Sequence, residues 1–317
     1  MKPFRPALAL ALALSAAPAL AQSGKKVLFV NSYHQGYEWS DGIEEGAAKV
    51  LRASGVTVEF FRMDTKRHGD EAFKKQAGLD AKAAIEKSKP DAVIVADDNA
   101  VRYVLQPYYK DAAIPFVFCG VNWDASGYGL PYKNATGMVE VALTVQLVDK
   151  LKEYAKGKRV GFLTVDTETE RVEQKAYREK LKLEFAQERF VKTLADWKGA
   201  FKEMQGQVDV LLLGNFAGIN DWNEADARAW AEANTRIPSG GMYDFMMPYA
   251  MLGLTKVAAE QGIWAGKSAL AILKGEKPSS IAITTNKEGQ IMVNVKLASK
   301  AGIVFKPELV RNAVVVK

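Results

Sequence analysis

The feature that most constrains the fold is an ordered alternation of short apolar runs and amphipathic helices, which occurs twice along the chain. Gly24-Lys25-Lys26-Val27 opens the first such series much as Gly157-Lys158-Arg159-Val160 opens the second. The stretch 90–97 (PDAVIVAD) corresponds in kind and order to 208–215 (VDVLLLGN), and Ile114-Pro115 corresponds to Ile237-Pro238. Short apolar runs that alternate with helices are typical of buried parallel strands covered by helices. The sequence therefore predicts two α/β lobes of the same plan.

Individual elements follow from the period of the apolar residues and from the turn residues between them. The pattern predicts strands at 27–30, 56–62, 92–96, 114–119, 189–194, 281–285 and 290–295, a strand that begins at Val160, and a turn at Gly289. It predicts helices or helical segments over 43–51 (capped by Ser40 or Asp41), 70–88, 100–109, 170–187, 247–253, 264–273, 297–300 and 307–312. The tail after Tyr243 is too short for a third lobe and is expected to pack on the other two.

The first 21 residues have the pattern of a secretory leader. Lys2 and Arg5 give a positive start, 7–14 is an uninterrupted apolar run, and Ala19-Leu20-Ala21 is a cleavage site. The apolar run is too short to span a bilayer. No cysteine follows the cleavage site, so no lipid anchor is expected. The chain is predicted to be exported, and the periplasm fits because Cys119, the only cysteine, cannot form an internal disulfide.

Charge and residue counts exclude several classes of function. The 43 basic and 37 acidic residues give a net charge of +6, and they are interspersed without a basic stripe, so nucleic-acid binding is not expected. His34 and His68 are the only histidines, which excludes a metal site built on several histidines. Cys119 and His34 could be a nucleophile and its base, but Cys119 ends an apolar run, where cysteine is usually a core residue. No nucleophile elbow, phosphate loop or dinucleotide fingerprint is present.

Two similar α/β lobes that the chain crosses more than once form a hinge with a cleft, and ligands bind there at the carboxyl ends of the strands. The sequence divides into a leader (1–21), a first lobe (22–140), a second lobe (141–242), a return to the first lobe (243–283) and a C-terminal segment on the hinge and second lobe (284–317). The predicted cleft loops are 32–39, 97–99, 120–123, 166–170, 215–220 and 243–244.

Polar and aromatic side chains crowd these loops and suit a small polar ligand. We expect Ser32, Asn99 and Thr169 to hydrogen-bond the ligand, aromatic rings to cover it, and carboxylates to meet any ammonium group. The full predicted ligand-binding set is Ser32, Tyr33, His34, Tyr37, Trp39, Asp97, Asp98, Asn99, Asn122, Asp166, Thr169, Asn215, Tyr243 and Asp244. The ring candidates are Tyr33, Tyr37 and Trp39, with Trp123 and Trp222 as weaker candidates; the carboxylates for an ammonium group are Asp98, Asp166 and Asp244.

Each of these residues also has a purely structural interpretation. Asp98 or Asn99 could cap the next helix, the three rings could form a packed rim, and Asp244 could be a hinge residue that never touches ligand. Trp123 and Trp222 could cover a lobe edge.

Four segments carry a resemblance to a known family: KKVLFVNSYH (25–34), ADDNA (96–100), PFVFCGVN (115–122) and ALAILKGEKP (269–278). Together with the leader, they resemble the ABC-transporter substrate-binding proteins, which have a type I periplasmic-binding fold. The start of the chain also resembles extracellular sensor domains of histidine kinases. The resemblance implies two lobes joined by three hinge strands, with a ligand bound between them and delivered to a membrane permease.

The function predicted from the sequence is a periplasmic, monomeric solute-binding protein without a cofactor, for a small polar or zwitterionic ligand such as an amino acid with an aromatic part. Its partner is an ABC permease or a sensor kinase of the inner membrane. The alternatives are a sensory adaptor of such a kinase and a secreted enzyme that uses the same cleft.

Overall fold

The computed structural model describes residues 22 and 24–316. Contacts divide the chain into two compact units. Of the described residues, unit 1 comprises those up to 118, 132–136 and 262–282; unit 2 comprises 119–131, 137–261 and 283–316. The predicted leader, 1–21, lies outside the described residues, and the lobe bounds predicted from the sequence stay a prediction.

Thirteen strands are described in this part of the chain. They are β1 (Lys26–Asn31), β2 (Thr57–Arg62), β3 (Ala92–Ala96), β4 (Phe116–Asn122), β5 (Ala135–Glu140), β6 (Val160–Val165), β7 (Gln187–Val191), β8 (Val210–Leu213), β9 (Ser239–Gly241), β10 (Leu252–Lys256), β11 (Thr284–Thr285), β12 (Gly289–Val293) and β13 (Val314–Val315).

The described helices are mostly short and connect successive strands. They are α1 (Glu38–Ala53), α2 (Glu71–Ser88), α3 (Asp97–Ala100), α4 (Gln106–Tyr108), α5 (Thr144–Lys152), α6 (Glu168–Glu179), α7 (Leu194–Gln207), α8 (Glu224–Asn234), α9 (Ala258–Leu273), α10 (Val295–Lys300) and α11 (Pro307–Arg311). A π-helical turn, Val101–Leu105, joins α3 to α4. None of the helices in the described part of the chain is long and apolar enough to cross a membrane.

The two sheets repeat one strand order. The first has the order β11-β5-β4-β3-β1-β2, and the second has the order β13-β12-β10-β9-β8-β6-β7. The β4-β3-β1-β2 series of the first therefore corresponds to β9-β8-β6-β7 in the second. The three sequence correspondences fall on β1 and β6, on β3 and β8, and on β4 and β9. Parallel pairing joins β1 to β2 and β3, and β6 to β7 and β8. The predicted fold class, α/β with two mostly parallel sheets, is confirmed.

The core of unit 2 shows why its strands are apolar throughout. Val210 and Leu212 of β8 belong to one hydrophobic cluster, which also contains Phe162. The alternate residues Leu211 and Leu213 belong to a second cluster. Successive side chains of a strand point to opposite faces, so the sheet is covered on both sides. Such a strand reads as a continuous apolar run, and polar groups are left for its ends.

Helix starts follow the capping rules at several places but not at the first helix. The side chains of Asp70 and Thr167 accept hydrogen bonds from the first turns of α2 and α6. The sequence predicted that Ser40 or Asp41 caps α1. Neither residue does, because the helix begins earlier, at Glu38. The Ser40 hydroxyl instead donates to Asn31 Oδ1, and the Asp41 carboxylate accepts from the backbone N–H of Gly36.

Several predicted elements are wrong in type or extent. The stretch 247–253, predicted as helical, leads into strand β10. Gly289 begins β12 and is not a turn residue; β11 and β12 lie in different sheets. Helix α6 ends at Glu179, well before the predicted end at 187, and β7 begins at Gln187. The residues 97–99 are the start of a helix, and 120–122 continue strand β4.

Six elements were not predicted: β5, β10, β13, α5, α7 and α8. Helix α8 buries only alanines, Ala227 and Ala231, so its apolar face is weakly marked in the sequence. Helix α7 carried a clear signal, because Trp197, Phe201 and Met204 recur at helical spacing.

A substitution at Gly262 of α9 tests how closely α9 packs on α1 within unit 1. A Cβ atom placed on Gly262 would lie 1.9 Å from the carbonyl oxygen of Ile43. Alanine is ordinarily better than glycine in a helix by about 1 kcal/mol. Here we expect Gly262→Ala to lower the free energy of unfolding, by about 1–3 kcal/mol, because the backbone of α1 must move.

Gly199 of α7 is the matched control, since a Cβ there meets nothing within 4 Å. Gly199→Ala is expected to raise the free energy of unfolding by about 0.5–1 kcal/mol. Urea or thermal unfolding of both variants gives the comparison. Equal stabilisation by the two substitutions would contradict the close approach.

Candidate functional site

The predicted residues of unit 1 come together at the carboxyl ends of its parallel strands. The register pairs Asn31, the last residue of β1, with Arg62 of β2 and with Ala96 of β3. The three strands therefore end level, and the loops that follow them meet. Thr65, in the loop after β2, donates from its hydroxyl to the carbonyl of Ser32 at 2.6 Å. Asn99 donates to the Thr65 hydroxyl at 2.8 Å.

Ser32 is fully buried, and its hydroxyl is engaged on both sides. It donates to the carbonyl of Ala96 at 2.6 Å and accepts from the backbone N–H of Ala100 at 2.8 Å. The hydroxyl thus ties the end of β1 to α3. Helix α3 begins at Asp97 without a side-chain cap, so the capping alternative for Asp98 and Asn99 is not what the structure shows.

Asp97 has an unusual backbone for a residue other than glycine, with a φ of 67°. Its carboxylate is buried and accepts a hydrogen bond from the indole N–H of Trp39 at 3.0 Å. Left-handed backbone at a side chain with a Cβ costs free energy and often marks functional sites. The two predicted residues therefore form one contact between the loop after β1 and the end of β3.

The other aromatic candidates of unit 1 pack around Lys66. Tyr33 and Tyr37 meet edge to face at 5.6 Å, and the Lys66 ammonium lies 4.3 Å from the Tyr37 ring centroid. His34 Nδ1 lies 3.5 Å from Asp64 Oδ1. Hydrogen bonds from Arg67 hold the pKa of the Asp64 carboxyl below its usual value. Asp98 is partly buried in α3.

Four predicted residues of unit 2 are engaged locally or exposed. Asp166 pairs with Arg171 at 2.7 Å and lies 3.7 Å from the Lys192 ammonium. The Asn215 side chain accepts from Ala217 N–H, and Asp244 accepts from the N–H of its neighbour Phe245. Thr169 is exposed in the first turn of α6. None of the four is among the residues of the cavity described next.

Unit 2 encloses a cavity beside Glu173, called the Glu173 cavity below. Asn122 and Tyr243 are the predicted ligand residues that line it. About 20 Å³ of it can hold the centre of a water-sized group, slightly more than the roughly 10–15 Å³ that one water needs. Its full lining is Asn122, Trp123, Glu140, Ala142, Leu143, Glu173, Tyr177, Met242, Tyr243, Leu254 and Lys256.

Trp123 connects the elements around the Glu173 cavity. Its φ is 60°, which is rare for so large a side chain. Its backbone N–H donates to the carbonyl of Glu140 at 2.8 Å, and its indole N–H donates to Glu173 Oε1 at 3.2 Å. Its ring meets Tyr177 edge to face at 5.9 Å. The strained residue thus places an aromatic wall and a hydrogen-bond donor against the carboxylate.

Two carboxylates and one ammonium face the Glu173 cavity. Lys256, at the end of β10, pairs with Glu140, at the end of β5. Among the described residues, no basic side chain lies within 4 Å of the Glu173 carboxylate. Burial raises the pKa of Glu173, and the Trp123 hydrogen bond and the Lys256 charge oppose that rise. The cavity therefore has an excess of negative charge.

The two tyrosines of the cavity keep neutral hydroxyls. Burial raises the pKa of Tyr243 and of Tyr177, and the negative Glu173 adds to both shifts. The Tyr177 hydroxyl donates to Met242 Sδ at 3.2 Å, and the Thr144 hydroxyl donates to the same sulfur at 2.9 Å. The tyrosines therefore offer ring faces and neutral hydroxyls to a ligand.

A strip of four aromatic rings continues from the cavity, and it is called the aromatic strip below. Tyr243 and Phe245 stack at 5.2 Å with 12° between their planes, and Phe216 meets Phe245 edge to face at 5.5 Å. Trp222 stacks on Phe216 at 4.2 Å. Phe245 is 42% exposed, which is unusual for phenylalanine. The strip is made of two stacked pairs at nearly a right angle, and it places aromatic side chains next to a polar cavity.

The sequence contained one signal for the residues that were missed. Glu170, Glu173 and Tyr177 are spaced by three and four residues, so they share one face of α6. On a helix that otherwise reads as charged all round, a tyrosine in line with two carboxylates marks a face that turns inward. Glu140 and Lys256 had no such signal, because their strands were not predicted.

The structure contains little that would favour catalysis. Among the described residues, no group of three or more histidine, cysteine or acidic side chains could hold a metal ion. Cys119 is fully buried in β4, as expected for a core residue.

Solved structures with the same fold are numerous and distant in sequence. A substrate-binding protein with adhesive properties from Clostridium difficile, in its ligand-free open form, has a TM-score of 0.71 and 19% identity, and the match covers 92% of this chain and 99% of that one. An ABC domain from Streptococcus pneumonia in complex with L-Trp has a TM-score of 0.54 and 20% identity over 93% and 100%. A periplasmic ribose ABC transporter protein from Conexibacter woesei has a TM-score of 0.55 and 15% identity, and the match covers 89% of this chain and 96% of that one.

At these identities the likeness shows the fold alone, a two-lobe fold of the type I periplasmic-binding kind, as predicted. No curated protein matches the chain significantly. A family model described as ABC transporter substrate binding protein matches residues 40–317, which is most of the sequence. Members of that family bind solutes and are not catalysts, in agreement with the prediction of a binding protein. On this evidence the chain belongs to the ABC transporter substrate-binding protein family.

Proposed function

We propose that this solute-binding protein works in the periplasm and captures a small zwitterionic ligand with an aromatic part, such as an amino acid, for an ABC importer. The observation that carries the proposal is the Glu173 cavity together with the adjoining aromatic strip. The cavity presents charged and hydrogen-bonding groups in a space of about one water, and the strip presents ring faces beside it. The cavity suits the polar head of a ligand, and the aromatic strip suits its apolar part.

Backbone strain supports the placement of the site. Trp123 borders the cavity and has a positive φ. It is not a glycine, so this conformation costs free energy that the surrounding contacts must offset. The structure of a distantly related protein with L-Trp is consistent with an aromatic zwitterion as the class of ligand.

A thermal-shift screen of the mature protein tests the proposal. The panel comprises the amino acids, purines, sugars and short peptides. A ligand present at 100 times its Kd stabilises a protein by about 2.7 kcal/mol, so we expect an aromatic amino acid to raise Tm in a dose-dependent way, by roughly 5–10 °C. Isothermal calorimetry then gives the stoichiometry. Conversion of the ligand to a product would mean an enzyme, and the absence of any shift across the panel would remove the proposal.

Phe245→Ala tests the aromatic strip. Phe245 is already 42% exposed, so the substitution should leave Tm of the free protein nearly unchanged. The loss of one ring contact is worth about 0.5–1.5 kcal/mol, which lowers the affinity for an aromatic ligand roughly three- to tenfold. Tyr108→Ala is the matched control, since Tyr108 is 39% exposed in unit 1. Equal affinities of the two variants would mean that the strip does not touch the ligand.

The predicted role of the unit 1 residues has its own test. Trp39→Ala removes the indole that donates to Asp97, and Asp98→Ala removes a neighbouring carboxylate. If these groups bind or position the ligand, each variant should weaken binding by at least about fivefold in calorimetry, and Glu71→Ala, an exposed change on α2, should not. Unchanged affinity in both Trp39→Ala and Asp98→Ala would restrict the ligand site to other residues.

A further inference from the structure

Glu173 is a partly buried carboxylate of unit 2 that, among the described residues, has no lysine or arginine within 4 Å. Asp166, Glu188, Asp209 and Glu232 each have a lysine or arginine within 4 Å. Around Glu173, in the part of the chain that the structure describes, the partners are neutral. The indole N–H of Trp123 donates to it at 3.2 Å. A partly buried carboxylate with neutral donors only is electrostatically incomplete.

The other charged groups around the cavity do not supply Glu173 with a cationic partner. Lys256 contacts Glu140, so that ammonium already has its own carboxylate. Glu170 lies one turn from Glu173 on the same face of α6 and adds negative charge. Counting Glu140, Glu170 and Glu173 against Lys256, the region carries an excess of two negative charges. An anionic head would be repelled, and a cationic head would be attracted.

The size and the lining of the cavity also favour a cationic head group. Its space of about 20 Å³ fits one water-sized group. A primary ammonium is close to water in size. The aromatic residues Trp123, Tyr177 and Tyr243 line the space, and aromatic rings attract cations over their faces.

We infer that the Glu173 cavity receives the ammonium head of an organic amine, that Glu173 is the residue that selects for it, and that the rest of the ligand extends along the aromatic strip. This inference rests on the proposed function and narrows the ligand to amine-bearing compounds. Both amino acids and simple arylalkylamines satisfy it. A carboxylate on the ligand is permitted but not required.

The test compares compounds that differ only in the amine. The probes are the aromatic amino acids and their decarboxylated amines, each beside its N-acetyl and its deaminated counterpart, with D-ribose and purines as uncharged compounds. Calorimetry is carried out on the wild-type mature protein and on two variants. Glu173→Gln keeps the shape and still accepts from the Trp123 indole, whereas Glu179→Gln removes an exposed carboxylate from the same helix.

We expect only compounds with a free amine to bind, with Glu173→Gln weakening them at least tenfold and Glu179→Gln by less than twofold. Equal binding of an N-acetyl counterpart, binding only of compounds without an amine, or an unchanged affinity in Glu173→Gln would each overturn the inference while leaving a solute-binding protein. If no compound of any class binds, the proposed function fails and the inference fails with it.

The pH dependence of binding separates a charge effect from a merely structural one. Burial raises the pKa of Glu173 above its ordinary value of 4.5, so the carboxylate takes up its proton at a higher pH than an exposed one. Affinity for the amine should therefore fall several-fold as the pH is lowered from 7.5 towards 5. The titratable groups around Glu173 are Glu140, Glu170, Lys256, Tyr177 and Tyr243, and unit 2 contains no histidine. In Glu173→Gln this dependence should disappear.

The stability of the free protein gives a second readout that needs no ligand. A carboxyl whose pKa is raised by folding stabilises the folded state below its unfolded pKa, and that contribution is lost as the pH rises through the folded pKa. At pH 7.5 the charged Glu173 should therefore lower Tm relative to Glu173→Gln, and the difference should shrink as the pH approaches 4.5. A Glu173→Gln variant that is less stable than wild type at pH 7.5 would show a structural role and overturn the inference.

Discussion

The burial of both faces of the two parallel sheets is the constraint on which the rest of the structure depends. The strands β3 and β8 are apolar at every position, because helices cover them on both sides. No polar side chain can be accommodated along such a strand without a partner. Polar groups are therefore concentrated where the strands end. The same burial that stabilises each unit thus fixes the only places at which a binding site can be built.

Backbone strain occurs at those strand ends, and Glu173 of α6 lines a cavity beside one of them. Trp123 and Asp97 adopt left-handed backbone conformations that favour glycine, and Glu173 holds a charge among neutral donors. Each of these features lowers the stability of the free protein. They persist because hydrogen bonds hold each residue in place, as the Trp123 N–H does at the carbonyl of Glu140. A chain optimised for stability alone would place a glycine and a salt bridge there.

Local patterns predicted the parts of the fold that depend on local physics. The run 92–96 is a strand, as its apolar residues indicate, and the helix predicted over 70–88 is α2. The duplication could be read because corresponding strands have similar flanks. The failures required knowledge of distant partners. Strand β5 contains Thr136, whose hydroxyl is satisfied by the carbonyl of Ile281, far along the chain.

The same limit applies to the candidate site. Asn122 and Tyr243 were predicted because they follow strands that the sequence revealed. Glu140 and Lys256 end strands that it did not reveal. Glu173 was hidden for another reason: a carboxylate in a charged helix looks like a solvated residue unless the inward face of that helix is recognised. That face is set by Tyr177, which is buried against Phe162 and Met242.

The arrangement of the Glu173 cavity and the aromatic strip has a consequence for how this protein can diverge. Glu173 is held by Trp123 and lies against the buried Tyr177, so a change of the head group that it accepts would disturb several packed residues at once. Phe245 stands at the surface, where substitutions cost little stability. Substitutions at the exposed rings can therefore change which apolar part of a ligand is accepted, while the preference for the head group stays the same. Descendants of such a chain would form a series of binders for one chemical family, diversified by their exposed rings.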